Sequence, residues 1–248
     1  MRSRPDAGPV VCGHRGGHGP DYPPENTIPA FLRAIDEGAS AIELDVRATS
    51  DGEVVVFHDP DLARLAGRRD RVSDLTAREV LALRLPGGHA IPRLAEVLDT
   101  LRGKAVVNVE IKADLPRRRR LVRAVVDVIR RSGCEVVISS FHPAVVALAR
   151  ATSGVEVAQL FPERWTPFWR AGLLAATPRL VAAVHLAGSA VDRALVERLV
   201  ARGLRVALWT VNDTARALEL ISWGAAWIIT DEPGALSRAL GRSRAEGR

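Results

Sequence analysis

The sequence predicts a single α/β domain closed as a (β/α)8 TIM barrel, with a β-hairpin arm and a small insertion after the second strand. Short apolar runs rich in Val and Ile alternate with helix-period stretches from end to end, the pattern of repeated βα units and a parallel sheet. Eight such pairs follow one another and close naturally as a barrel; a doubly wound sheet is the alternative. The length of 248 residues suits one complete barrel, which takes roughly 250.

The strands are expected at 10–14, 41–46, 106–112, 135–141, 155–161, 182–187, 205–211 and 227–231. Helices are expected between them at about 26–37, 93–102, 117–132, 143–152, 167–175, 192–202 and 213–223, with a last one at 234–242. The barrel then occupies 8–244, interrupted by an insertion at about 60–90.

The hairpin arm follows from chain length. Val54 to His58 come after only Ala48-Thr49-Ser50-Asp51-Gly52-Glu53, and a parallel crossover needs about a dozen residues or more. With the turn centred on Asp51-Gly52, facing residue numbers sum to 103, so 53–57 pair antiparallel with 46–50 and Asp45 faces His58. The insertion contains a capping box, Thr76-Ala77-Arg78-Glu79, ahead of Val80, Leu81 and Leu83. Because it leaves the arm near the strand ends, it should lie over the barrel mouth.

Hydrophobic residues make up 47% and charged residues 26%, which suits a large core and excludes a disordered chain. No apolar signal region follows Met1 to Asp6, and no run approaches the roughly 18 apolar residues of a membrane span. Cys12 and Cys134 sit in or beside strand-like runs and read as small buried hydrophobes, so a cytoplasmic location is expected. The formal charge is +6, but Arg117 to Arg120 open an amphipathic helix carrying Leu121, Val125, Val128 and Ile129 and belong on its solvated face. Contact with an anionic membrane is the alternative for that helix. No aromatic residues interleave with it, so no nucleic-acid partner is expected. The net positive charge favours anionic substrates.

The chemistry concentrates at strand ends. Glu43 and Asp45 share one face of a strand, their Cα atoms about 6.6 Å apart. Two carboxylates buried together need a cation. Glu110 and Lys112 repeat the arrangement on the neighbouring strand. Three carboxylates without cysteine form a hard-oxygen site suited to one divalent cation, Mg²⁺ or Ca²⁺, with Mn²⁺ a further fit. The alternative is a metal-free ion-pair network in which Lys112 and Arg15 neutralise the acids. His14 ends the first strand and His58 ends the hairpin arm, both at the mouth where catalytic groups sit in such barrels. Two imidazoles beside three acids are the pair that acid–base cleavage of a phosphodiester requires. Arg15 offers a fork for phosphate oxygens, and Lys112 a second phosphate contact.

Weaker signals are discounted. Gly13 to Gly19 lacks the G-x-G-x-x-G spacing of a dinucleotide loop, and Ser139-Ser140 lacks the glycines of a nucleophile elbow. Asn26 and Thr27 should cap the first helix, with Asn26 also free to orient a site residue, and Asp231 should cap the last helix. His18 is expected in solvent, and His89, His142 and His185 are expected to be structural.

The ordered set His14-Arg15-Gly16, Pro24-Glu25-Asn26-Thr27, Glu43-Leu44-Asp45-Val46, Asp51-Gly52, His58-Asp59, Ile91-Pro92-Arg93-Leu94, Glu110-Ile111-Lys112, Ser139-Ser140-Phe141, Trp209-Thr210-Val211-Asn212 and Thr230-Asp231-Glu232-Pro233 resembles the glycerophosphodiester phosphodiesterase family over nearly the whole chain. The resemblance implies a divalent metal on Glu43, Asp45 and Glu110 and acid–base roles for His14 and His58. It implies further that Arg15 and Lys112 hold the phosphate and that Trp209 packs against the glycerol end of a small-molecule glycerophosphodiester. Gly17 to Pro23 is longer than the usual loop of that family. The implied reaction is hydrolysis to glycerol 3-phosphate and an alcohol, with water or a substrate hydroxyl as nucleophile. A lysophospholipase D or sphingomyelinase D-like enzyme on the same barrel is an alternative, for which Leu81, Leu83 and Leu85 leave an acyl groove open. The other alternative is a non-catalytic phosphodiester-binding barrel, which would not require two rim imidazoles.

Overall fold

A computed structural model of the chain describes residues 8–112, 118–164 and 181–241. Its strands are β1 (Val10–Gly13), β2 (Ala41–Ala48), β3 (Val54–Val56), β4 (Arg84–Leu85), β5 (His89–Ala90), β6 (Val106–Ile111), β7 (Val136–Ser140), β8 (Glu156–Leu160), β9 (Ala183–Ala187), β10 (Arg205–Trp209) and β11 (Trp227–Thr230). The α-helices among these residues are α1 (Ile28–Asp36), α2 (Ala63–Ala66), α3 (Ala77–Ala82), α4 (Leu94–Leu101), α5 (Arg118–Ser132), α6 (Pro143–Thr152), α7 (Arg193–Ala201), α8 (Thr214–Ser222) and α9 (Pro233–Ala239). The helix expected at 167–175 lies outside the described residues.

Eight parallel strands run in the order β1-β2-β6-β7-β8-β9-β10-β11, and β11 pairs back onto β1, closing the sheet into a TIM barrel. The eight barrel strands are mostly apolar because both their faces are covered, one by helices and the other by the barrel interior. Towards the N-terminal ends the interior is filled by Cys12, Ala41, Ala207 and Ile229, with Val10, Val106 and Trp227 beside them. Two residues further along β2 and β6 the same face turns polar, with Glu43, Asp45, Asn108 and Glu110 all buried. This period-2 continuation aims the acids at the C-terminal mouth.

The hairpin forms in a different register from the expected one. β2 and β3 pair as Val46↔Val56, Arg47↔Val55 and Ala48↔Val54, so facing numbers sum to 102 instead of 103. The Thr49 amide donates to the Glu53 carbonyl and the Gly52 amide to the Thr49 carbonyl, leaving the odd loop Ser50-Asp51-Gly52 with Gly52 at φ +93°. A turn closed by a left-handed glycine bulge displaces the ladder by one residue relative to a two- or four-residue loop centred on Asp51-Gly52. Phe57, not His58, therefore stands across from Asp45, its amide donating to the Asp45 carbonyl at 2.9 Å. His58 reaches the mouth by leaving the ladder after Phe57, and its carbonyl is held by Arg47 Nε at 2.8 Å.

The insertion has its own small core, in which Val55 and Phe57 of the arm pack with Leu62, Val72, Leu75, Val80, Leu85 and Ile91. The Thr76–Glu79 capping box forms as expected and starts α3. Leu81 and Leu83, both half-buried, pack against the same core, and Leu85 is inside it.

Candidate active site

Glu43, Asp45 and Glu110 each present a carboxylate oxygen within 4.8 Å of the others, and all three residues are buried. Burial, reinforced by the Asp45 charge, pushes Glu43 up to about 8. Burial likewise raises Glu110 above the ordinary range, against the pull of Lys112. Burial would raise Asp45 too, but the charges of Lys112, Arg15 and His58 and a hydrogen bond from Asn26 hold it well below the usual carboxylate range. Lys112 Nζ stands 3.0 Å from Asp45 Oδ1 and 2.5 Å from Glu110 Oε1. Lys112 engages one lone pair on each of these oxygens, and the second lone pair of each carboxylate oxygen is left for a ligand. An all-oxygen set with two such buried atoms and mutual repulsion fits a hard divalent cation.

Two residues in left-handed backbone conformation frame this cluster, Arg15 at φ +51° and Asn26 at φ +60°. Strain of this kind persists where surrounding bonds over-determine it. Here the Arg15 amide donates to Glu43 Oε2 at 3.0 Å, and the Asn26 amide donates to the Arg15 carbonyl at 3.0 Å. Asn26 Nδ2 donates to Asp45 Oδ2 at 2.9 Å while its Oδ1 accepts from the Asp45 amide at 3.1 Å. Asn26 thus orients a site carboxylate, and Thr27 alone caps α1. Arg15 Nε lies 3.2 Å from Asp45 Oδ2, and its Nη1 donates to Glu25 Oε1 at 3.0 Å.

Each rim imidazole has its own carboxylate. His14 Nδ1 is 2.7 Å from Asp231 Oδ1, while its Nε2 lies 4.0 Å from Glu43. His58 Nδ1 is 2.7 Å from Asp59 Oδ1. Burial works against charge on His14, but the Asp231 hydrogen bond and the Glu43 charge outweigh it and raise the imidazole above its ordinary value. On His58 burial wins over the pull of Asp45, helped by Lys112 and Arg15, and lowers it. The two imidazoles are thus shifted in opposite directions.

Asp231 does not cap α9, whose N-cap, Glu232, makes no side-chain capping bond. Barrel closure puts the end of β11 beside the end of β1, where the His14 amide donates to the Thr230 carbonyl at 2.8 Å, and Asp231 turns to the imidazole. Asn212 Nδ2 holds the far oxygen of Asp231 at 2.8 Å. The expected phosphate contact Lys112 also sits 5.7 Å from the centre of the Phe141 ring, which meets Trp209 edge-on at 5.7 Å. Trp209 Nε1 is buried without a hydrogen-bond partner. His18 is exposed, and His142 caps α6 by accepting from the Ala144 amide. Sequence reasoning gave Asp59 no role, although its adjacency to His58 was the available signal. For Arg64, which pairs with both Asp59 and Glu25, there was none.

Among the described residues no helix is long and apolar enough to cross a membrane. The chain is 31% identical over 239 residues to a glycerophosphodiester phosphodiesterase of Caldanaerobacter subterraneus, covering 92% of this chain and 96% of the relative. It is 27% identical over 270 residues to a lysophospholipase D of Rattus norvegicus, covering 92% and 84%. The structure is similar to that of an Oleispira antarctica phosphodiesterase in complex with the product sn-glycerol-3-phosphate, with a TM-score of 0.85, 25% identity and 94% and 97% of the two chains covered. The sequence pattern of the glycerophosphoryl diester phosphodiesterase family runs through residues 14–235, from the first rim histidine into the last helix, and the chain belongs to that family and is a phosphodiesterase.

Proposed function

We propose that this phosphodiesterase hydrolyses glycerophosphodiesters to glycerol 3-phosphate and an alcohol, with His14 and His58 as its acid–base pair. The observation that carries the reading is the pair of imidazoles, each tied at Nδ1 to a carboxylate at 2.7 Å, beside the buried acid cluster. Glu43, Asp45 and Glu110 would hold one Mg²⁺ or Ca²⁺, with Mn²⁺ a further fit, and such an ion supplies positive charge to phosphate oxygens. The Arg15 fork and the Lys112 ammonium bind and orient the phosphate. One imidazole takes the proton of the attacking hydroxyl and the other gives a proton to the leaving alcohol. Attack by water yields glycerol 3-phosphate directly, whereas attack by the glycerol hydroxyl yields a cyclic phosphate that a water molecule then opens with the two imidazoles in exchanged roles. Phe141 and Trp209 form an aromatic wall for the glycerol end, and Trp209 Nε1 offers it a donor. Residues 8–244 act as one catalytic unit with the insertion as part of it. A cytoplasmic setting is supported by the two unbridged cysteines, Cys12 and Cys134.

The test is hydrolysis of glycerophosphocholine, glycerophosphoethanolamine and glycerophosphoglycerol with added Mg²⁺ or Ca²⁺, read as release of glycerol 3-phosphate. Lysophosphatidylcholine in the same assay addresses lysophospholipase D activity, the reading favoured by the rat relative. Binding of these diesters without any hydrolysis would reduce the protein to a binding barrel.

Asp231→Asn is expected to lower kcat by about 10–10⁴-fold, from the cost of an ordinary orienting partner up to that of an aspartate behind a catalytic histidine turned into an amide. An amide at that position cannot hold His14 Nδ1–H through an anionic oxygen while Asn212 occupies its other end. Unchanged kcat in Asp231→Asn would show that His14 needs no such anchor.

A further inference from the structure

The insertion contributes a charged group to the site whose role the reaction scheme above does not use. Arg64 lies on α2, two residues after Leu62, which is fully buried in the insertion core and whose amide donates to the Asp70 carbonyl at 3.1 Å. From that anchored backbone the guanidinium spends its fork on two carboxylates. Its Nε donates to Asp59 Oδ2 at 2.7 Å, and Nη1 and Nη2 donate to Glu25 Oε2 and Oε1 at 3.0 and 2.6 Å. The opposite oxygen of Asp59 holds His58 Nδ1 at 2.7 Å, and Glu25 Oε1 also accepts from Arg15 Nη1 at 3.0 Å. An unbroken chain of contacts therefore runs from His58 through Asp59, Arg64 and Glu25 to Arg15, and from Arg15 Nε to Asp45.

We propose that Arg64 is a positioning residue: its guanidinium sets the His58 imidazole and the Arg15 fork relative to each other, so the insertion completes the active site and does not merely cover it. The inference rests on the roles given above to His58 and Arg15. The competing description is an ordinary half-exposed ion pair, since the Arg64 side chain is 46% exposed, and such pairs contribute little to stability. Two features separate it from that class. Glu25 is buried, with its side chain only 7% exposed, and takes a bidentate fork, the geometry in which arginine fixes orientation as well as charge. Asp59 also has both its oxygens engaged, one by Arg64 and one by His58, so it cannot rotate without breaking one of the two bonds. Without Arg64, Asp59 would be free to swing with the imidazole. Glu25 would keep only Arg15, drawing that guanidinium from Asp45 and from the place of the phosphate.

The experiment compares the wild-type chain with Arg64→Ala, Arg64→Lys and Arg68→Ala on the best diester substrate of the wild type, with Mg²⁺ present. Arg68→Ala is the control, because it breaks an exposed pair with Asp70 in the same insertion without touching the chain of contacts. Arg64→Ala is expected to lose about 10–100-fold in kcat/KM, the usual cost of removing an orienting partner. Lysine keeps the charge but cannot bridge two carboxylates with a fork, so Arg64→Lys should fall close to Arg64→Ala while keeping the wild-type melting temperature. Guanidinium ion added at millimolar concentration, below denaturing levels, should raise turnover of Arg64→Ala and not that of the wild type or of Arg68→Ala. Near wild-type turnover in Arg64→Ala, an equal loss in Arg68→Ala, full activity in Arg64→Lys, or a loss that guanidinium does not relieve would each overturn the positioning role. A wild-type chain that turns over no glycerophosphodiester would overturn both this inference and the functional reading beneath it.

Discussion

His58→Ala and His14→Ala are each expected to lower kcat by about 10²–10⁴-fold, the contribution of one positioned acid or base. Neither side chain belongs to a hydrophobic core cluster, so loss of fold is not expected to contribute. Each ring instead spends Nδ1 on a carboxylate, Asp231 for His14 and Asp59 for His58, which leaves Nε2 for proton transfer. The measurement is kcat and KM on a glycerophosphodiester beside a melting curve. A variant with wild-type melting and a kcat within a fewfold of wild type would remove that histidine from proton transfer. The double variant should lose little beyond the worse single one if both act in one concerted step, because residues acting as a unit are non-additive.

Exhaustive chelation of divalent cations is expected to abolish turnover, and Mg²⁺, Ca²⁺ or Mn²⁺ to restore it, each to its own level. The physical reason is the instability of the acid cluster by itself, with Glu43 pushed up to about 8 by burial and the neighbouring Asp45 charge. A second readout does not depend on catalysis. A cation bound only by the folded chain stabilises it by about 2.7 kcal/mol at a hundredfold excess over Kd, which raises the melting temperature. Glu43→Gln should keep the shape of the site but weaken that shift. Activity that survives chelation, with no melting shift on adding cation, would mean that Lys112 and Arg15 alone neutralise the carboxylates. That is the metal-free network which Lys112, at 3.0 and 2.5 Å from Asp45 and Glu110, would support.

The sequence by itself determined the barrel, the strand that carries Glu43 and Asp45, and the placing of Glu110 and Lys112 on its neighbour. These rest on local rules: apolar runs of strand length, a two-residue side-chain period, and helices capped where Thr27 and Thr76 stand. The same local rules reached the hairpin but not its register. Asp51-Gly52 is compatible with loops of two, three or four residues, and only the packing of Val54 and Val56 on the barrel side and of Val55 and Phe57 on the insertion side selects one. Tertiary structure alone decided what anchors the His14 imidazole. Asp231 reads in sequence as a residue ahead of a helix, and it becomes the partner of His14, 217 positions away, because closure sets the last strand beside the first. Arg64 reads as one of many surface arginines, and it joins Glu25 to Asp59 because the insertion core folds α2 back onto the mouth. Periodicity along one strand reports which face a side chain takes. Which groups meet across a closed barrel depends on closure, register and insertion packing, and these are properties of the whole chain.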